Sequence, residues 1–129
     1  MGHDAAFMNS GQLGFAGSRV YVHEDKHDEF VSRVAEKAKG RVLGNPLDPK
    51  TDLGPQISQR QVDKIMDYID QGRSAGAKVV TGGNRLEMQG FYVQPTVFSG
   101  VTDSMAIAQE EIFGPVMCVL KFKETEEVL

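Results

Sequence analysis

The groups able to do chemistry in this chain of 129 residues are few. They are one thiol, three histidines, and a loop in which Gly11, Gly14 and Gly17 recur at every third position. A thiolate is a strong nucleophile near neutral pH, but the thiol must first ionise. Cys118 stands between Met117 and Val119 with no basic residue adjoining it, so it reads as a small buried hydrophobe. His3, His23 and His27 share no metal-ligand spacing and no carboxylate cluster joins them; each reads as a single surface histidine, with no metal site expected. Gly14 has no side-chain atom to offer. It is either a turn residue or a presenter of its backbone N–H to a developing negative charge. Downstream, Glu111 beside Glu110 reads as a solvated charge and Phe113 as a core aromatic.

These groups need elements to position them. Residues 5–10 read as the end of a helix running into the glycine loop, and 19–23 as a short strand. Between 25 and 42 the apolar residues Phe30, Val31, Val34, Ala35, Ala38 and Val42 follow helical spacing. Gly44-Asn45-Pro46-Leu47-Asp48-Pro49 is a turn-rich connection. A second helix is predicted over 58–72: Ser58 and Gln61 form an S-x-x-Q cap, Val62, Ile65, Met66 and Ile69 make the buried stripe, and Gly72 is the expected terminator. Lys64 then faces water, and Gln61 closes the capping box. Residues 77–81 and 92–98 read as strands, the latter broken or placed at an edge by Pro95. The apolar run 116–122 suits a central strand covered on both faces. Residues 124–129 look like a helix start cut short, which points to a fragment. Strands alternating with four-turn helices predict an α/β fold: a layered parallel sheet flanked by helices.

Composition narrows the partners. The net charge is −4 and the lysines and arginines are scattered, so nucleic acid is not an expected partner. No apolar run reaches the roughly 18 residues needed to span a bilayer, and no secretory signal is visible, so no membrane partner is expected. One cysteine forbids an internal disulfide and suits a reducing, cytoplasmic setting.

Taken together, Asn9-Ser10-Gly11-Gln12-Leu13-Gly14-Phe15-Ala16-Gly17-Ser18-Arg19 and Gln109-Glu110-Glu111-Ile112-Phe113-Gly114-Pro115-Val116 resemble two segments of the NAD(P)-dependent aldehyde dehydrogenases. In that family the first runs N-x-G-Q-x-C-x-A-G-S-R, and the cysteine attacks the aldehyde. Further segments match in family order, among them Ser18-Arg19-Val20-Tyr21-Val22, Gly44-Asn45-Pro46, Gly54-Pro55-Gln56-Ile57 and Gly90-Phe91-Tyr92-Val93-Gln94-Pro95-Thr96-Val97-Phe98. The likeness covers nearly the whole chain and corresponds to the central part of the catalytic domain. The dinucleotide-binding domain, the oligomerisation arm, the glutamate base of an E-L-G-G-K-like segment and the oxyanion asparagine have no counterpart in residues 1–129.

The resemblance implies that Gly14 occupies the nucleophile position, with only its backbone N–H left for the oxyanion site. It implies that Glu111 binds the nicotinamide ribose hydroxyls, that Phe113 packs near the nicotinamide ring, and that Gln61 and Lys64 touch the ribose part of the cofactor. The cofactor would be NAD or NADP, bound weakly or not at all by this chain, and the substrate an aldehyde. The parent reaction, oxidation to a carboxylic acid through a cysteine thioester, is expected to be lost. The alternative is a non-catalytic structural or interaction module that keeps the fold. Exposed apolar surface covered by self-association is also expected.

Overall fold

The computed structural model describes residues 2–129. Four strands, β1 (Arg19–His23), β2 (Lys78–Thr81), β3 (Thr96–Ser99) and β4 (Val116–Phe122), form one sheet in the order β1-β4-β3-β2. Helices α1 (Gly2–Phe7) and α2 (Glu24–Lys39) pack on one face. Helix α3 (Gln59–Ser74) and the single turn α4 (Ala106–Gln109) pack on the other. Among the described residues no helix is long and apolar enough to cross a membrane.

β4 is the central strand that its apolar run predicts. It runs parallel to β1 on one side, with Arg19 opposite Cys118, and parallel to β3 on the other, with Thr96 opposite Val116. Side chains alternate across a strand, so Val116, Cys118 and Leu120 enter the core under α3 while Met117 and Val119 enter the core under α1 and α2. Two buried faces require apolar residues at every position. β3 repeats the pattern, Phe98 facing one core and Val97 the other.

The layered sheet is parallel-dominant. Its edge strand β2 is the exception, pairing with β3 antiparallel, Lys78 opposite Ser99, with a register shift between Val79 and Thr81. Parallel neighbours need a long crossover, usually a helix. Residues 82–95 provide none: they turn back through Gly82 and Gly83 at positive φ and an Arg85–Val93 bridge, so the chain returns antiparallel. Pro95 sets the start of β3. It lacks an N–H, and the first ladder-type bond after it is Thr96 N–H to the Pro115 carbonyl at 2.8 Å.

Both long helices depart slightly from their periodicity. In α2, Val31, Val34, Ala35 and Ala38 are buried as expected, but the helix ends at Lys39 and Val42 is half exposed. In α3, Gly72 lies inside the helix and terminates nothing. A Cβ there would lie 3.0 Å from both Ile107 and Phe98, so glycine lets the helix pack closely against the sheet and α4 without displacing those side chains. The helix stops two residues later, and Gly76 follows at φ 97°. The turn α4 carries no sequence signal of its own and was not expected.

The histidines also differ from expectation, since only His23 reaches the surface. His27 is buried, with Nδ1 2.8 Å from the Asp28 carboxylate. His3 is 4% exposed. Its ring lies 4.9 Å from that of Phe7, and Arg41 donates to its Nδ1 at 3.1 Å. Asp4 pairs with the same guanidinium. A short amphipathic turn such as α1 hides which of its residues face inward, and His3 shares its inner face with Ala6 and Phe7.

Desolvation on burial is the main reason that the pKa of His3 lies below its ordinary 6.5, with the charge of Arg41 acting in the same direction. The unfolded chain therefore takes up this proton more readily than the folded one. Stability from neutral His3 is full above pH 6.5 and is lost as pH falls from there through the lowered native pKa. Thermal melts from pH 8 to 5 should show the midpoint falling below about pH 6.5, and His3→Gln should flatten that fall. An unchanged slope in His3→Gln would assign it to another group.

Candidate functional site

Helix α1 ends at Phe7, and after Met8 the chain passes through three consecutive left-handed residues, Asn9 (φ 52°), Ser10 (φ 57°) and Gly11 (φ 72°). Positive φ costs residues that carry a Cβ, so the bend needs outside support. The segment Gly54-Pro55-Gln56-Ile57 supplies it. Ser10 Oγ donates to the Gly54 carbonyl at 2.8 Å, Gln12 Nε2 donates to the Pro55 carbonyl at 3.3 Å, and Gln12 Oε1 accepts from Ile57 N–H at 2.9 Å. Beyond the bend, Ala16 N–H donates to the Leu13 carbonyl at 3.0 Å, closing a turn with Gly14 and Phe15 at its tip. Ser18 then passes into β1, its carbonyl accepting from Cys118 N–H at 2.8 Å.

The second segment, running from α4 into β4, meets this loop backbone to backbone. A Cβ on Gly11 would fall 1.9 Å from the Gly114 carbonyl oxygen. A Cβ on Gly114 would in turn fall 2.4 Å from Cδ1 of Ile65 on α3. Loop, second segment and helix are therefore stacked at a spacing that demands glycine at position 11 and leaves no room at position 114 unless Ile65 shifts.

Gly14 contrasts with both. Its φ is not positive, it is exposed, and nothing lies within 4 Å of where its Cβ would be. Its N–H finds no acceptor among the described residues. The neighbouring Phe15 is 82% exposed. The turn accommodates a glycine without demanding one.

Glu111 and Phe113 open onto two clefts. Glu111, exposed and with no partner for its carboxylate among the described residues, lines one with Ala16, Gly17, Ser18 and Arg19. Phe113 lines the other with Asn9, Gln12, Pro55, Ile57 and Phe91. Phe113 itself holds a positive φ of 59°. Gln61 and Lys64 lie close to both through α3. Gln61 Nε2 donates to the carbonyls of Ile112 at 3.1 Å and Phe113 at 2.8 Å, and Lys64 Nζ donates to the Glu111 carbonyl at 3.1 Å. This corrects two expectations. Ser58 Oγ does cap α3 by accepting from Gln61 N–H at 3.2 Å, but the Gln61 side chain reaches across to the other segment and does not close the box. Lys64, although exposed, is tied to the backbone at Glu111. Tyr68 was not singled out from sequence; its hydroxyl donates to Glu110 Oε2 at 2.5 Å. The i+7 spacing from Gln61 was the available signal. Ser10, Gln12 and Gln56 were missed for another reason: their partners lie more than 40 residues away.

Cys118 offers no replacement nucleophile. It is buried beneath α4, its Sγ 3.4 Å from the Ile107 carbonyl, and burial pushes its pKa up to about 12.

Comparison with known proteins places this geometry. The model of the aldehyde dehydrogenase family matches residues 2–129. The chain is 54% identical over 127 residues to omega-crystallin of Nototodarus sloanii, covering 98% of this chain and 26% of that protein. It is equally identical to the mitochondrial aldehyde dehydrogenase of Homo sapiens, covering 98% and 25%. A solved NAD+ complex of an aldehyde dehydrogenase from Bacillus cereus superposes with a TM-score of 0.96 at 42% identity, covering 98% of this chain and 26% of that one. An aldehyde dehydrogenase C mutant from Pseudomonas syringae, complexed with NAD+ and octanal, gives 0.94 at 41% identity, covering 98% and 27%. The chain spans about a quarter of the length of the relatives it matches.

Two measurements check this geometry. Gly114→Ala should lower stability by about 1–3 kcal/mol through overpacking, and adding Ile65→Val should return part of it; equal losses in both backgrounds would mean that Ile65 does not set the spacing. In the native chain Cys118 should resist iodoacetamide at pH 8, whereas the denatured chain takes up one equivalent. Gly14→Cys should melt as the parent does and alkylate while folded. Rapid labelling of the unmutated native chain would contradict the burial of Cys118.

Proposed function

This chain belongs to the aldehyde dehydrogenase family, and we propose that it keeps the family's nucleophile loop and nicotinamide-end segment while Gly14 replaces the nucleophile. The geometry at Gly14 carries this reading. A glycine retained for conformation has a positive φ or a close neighbour, as at Gly11 and Gly114; Gly14 has neither. The loss of a reactive side chain accounts for it better than the needs of a turn.

In this reading the free Gly14 N–H is one donor of the oxyanion site. The Glu111 carboxylate accepts hydrogen bonds from the paired hydroxyls of the nicotinamide ribose, and the Phe113 ring limits movement of the nicotinamide. An exposed, unpaired carboxylate in one cleft and an aromatic ring lining the next support that fit. NAD or NADP, when bound, supplies the hydride acceptor. The parent reaction oxidises an aldehyde to a carboxylic acid: a cysteine adds to the carbonyl and water releases the resulting thioester. Gly14 has no atom with which to form that bond, and the Cys118 thiol is buried and un-ionised at neutral pH. We therefore read the chain as catalytically silent, with a reducing compartment such as the cytoplasm suiting its single thiol.

A second reading, a non-catalytic interaction module, draws on a specific observation. Phe15, Leu47 and Ile57 are 82%, 90% and 79% exposed. Association with a further copy of the chain is the expected way to cover such groups.

Purified alone, the chain should bind NAD with a dissociation constant of about 1 mM or weaker, because the glycine-rich loop and helix that hold the diphosphate in the family have no counterpart in this sequence. With a broad aldehyde panel it should form no NADH above background. Gly14→Cys should not restore turnover, since this sequence holds no E-L-G-G-K-like segment to supply the base. Calorimetry showing micromolar NAD binding, or any aldehyde-dependent NADH from the unmutated chain, would overturn this reading. A monomer in light scattering at high concentration would remove the second.

A further inference from the structure

On the buried face of α1, the ring of His3 presents one nitrogen to two charges of opposite sign. Its Nδ1 lies 3.1 Å from the Arg41 guanidinium and 3.5 Å from the Asp4 carboxylate. A guanidinium only donates, so Nδ1 accepts from Arg41 while it is bare, and the ring proton of neutral His3 then sits on Nε2. Nε2 is buried with no partner among the described residues. A proton arriving at Nδ1 removes the acceptor and makes a donor, for which the Asp4 carboxylate is at hand. The imidazolium also repels the guanidinium beside it. The other charges around the ring do not cancel this exchange. Lys37 of α2 adds a further positive charge, and Asp52 lines the same cleft beside Arg41. β4 meets this layer with Met117 and Val119, while its Lys121 acts on Asp28 at the far end of α2.

Helix α1 depends on this contact, because six residues form too few internal bonds to hold a helix unaided. The glycine loop leans on the helix in turn. Gly17 N–H donates to the Ala5 carbonyl at 3.0 Å, two residues from His3. The two ends of the loop are therefore held by different means: Gly11 by backbone packing on Gly114, and Gly17 by a bond to α1.

We propose that His3, Arg41 and Asp4 form a proton-operated latch on α1. With His3 neutral, Arg41 clamps the helix to the chain that follows α2. With His3 protonated, the clamp opens and the Gly17 end of the loop is released, while the sheet stays folded.

NMR of the intact chain between pH 8 and pH 5 tests this. At pH 8 the nitrogen-15 shifts of the His3 ring should place the proton on Nε2. Native-state hydrogen exchange, corrected for its intrinsic pH dependence, should then show the Gly17 amide losing protection as the His3 ring titrates. The loss should exceed that at Val119 in β4 by about tenfold, as expected when one net hydrogen bond opens without global unfolding. In His3→Gln the amide oxygen can still accept from Arg41 but does not titrate, so Gly17 protection should stay level with that of Val119 across the range. Should that variant fail to fold, Arg41→Met should lower Gly17 protection already at pH 8 and leave little further fall. A proton found on Nδ1 at pH 8, or a ring that stays neutral to pH 5, would overturn the latch. So would Gly17 and Val119 losing protection together, which would reduce His3 to a contributor to overall stability, or a loss in His3→Gln as steep as in the parent.

Discussion

The contact on which the site depends is between the bare α-carbon of Gly11 and the carbonyl of Gly114. Gly11 and Gly114 are separated by more than 100 residues, yet their backbones approach so closely that a methyl group on either would overlap a neighbour. Ile65, from α3, closes the stack behind Gly114. Dense packing of this kind is hard to deform, because added volume at Gly11 must displace backbone and at Gly114 must displace the buried Ile65 side chain. It also explains the strained bend at Asn9 and Ser10: the loop must reverse direction after α1 in order to lay Gly11 flat against its partner. Bonds from Ser10 and Gln12 to residues 54–57 offset that strain.

Around this stack the polar groups divide into those that hold and those that are held out. Gln12, Gln61, Lys64 and Tyr68 are engaged with backbone or with a carboxylate. The Glu111 carboxylate and the Gly14 N–H have no partner among the described residues. The sheet supplies rigidity through β4, while the free groups sit on the connections that the sheet and α3 fix in place. Binding groups commonly occupy loops for this reason, since a loop can expose a polar atom that a strand would have to pair.

Much of this was legible in the sequence, for reasons that differ by element. β4 was readable because burial on both faces forces an unbroken apolar run, and α2 and α3 because their buried stripes recur at helical spacing. The two motif segments were readable as a pair through family resemblance, although no local rule brings Gly11 to Gly114. What the sequence hid was mostly directional. The reversal of β2 follows from the missing crossover between 82 and 95, which strand propensity does not report. Gly72 looked like a terminator because a glycine near a helix end is ambiguous between a stop and a close approach, and only Ile107 and Phe98 opposite it decide. Gln61 looked like half of a capping box because the pattern is local, while its bonding partners lie 51 and 52 residues away. His3 and His27 looked like surface residues because a short or charged helix conceals which of its polar members point inward.

The open turn at Gly14 has a consequence for how such a chain can change over generations. Glycine and cysteine codons of the form GGU and UGU differ by one base, so on the reading proposed for Gly14 a thiol lies a single mutation away in either direction. Because the backbone there imposes no cost on a side chain, the fold exerts no selection on that step. Gly11 and Gly114 are under the opposite regime, where drift to any other residue disturbs the stack and is removed whether or not the protein turns over a substrate. Within one loop, then, a side chain can come and go at Gly14 while the record of architecture three residues earlier is preserved.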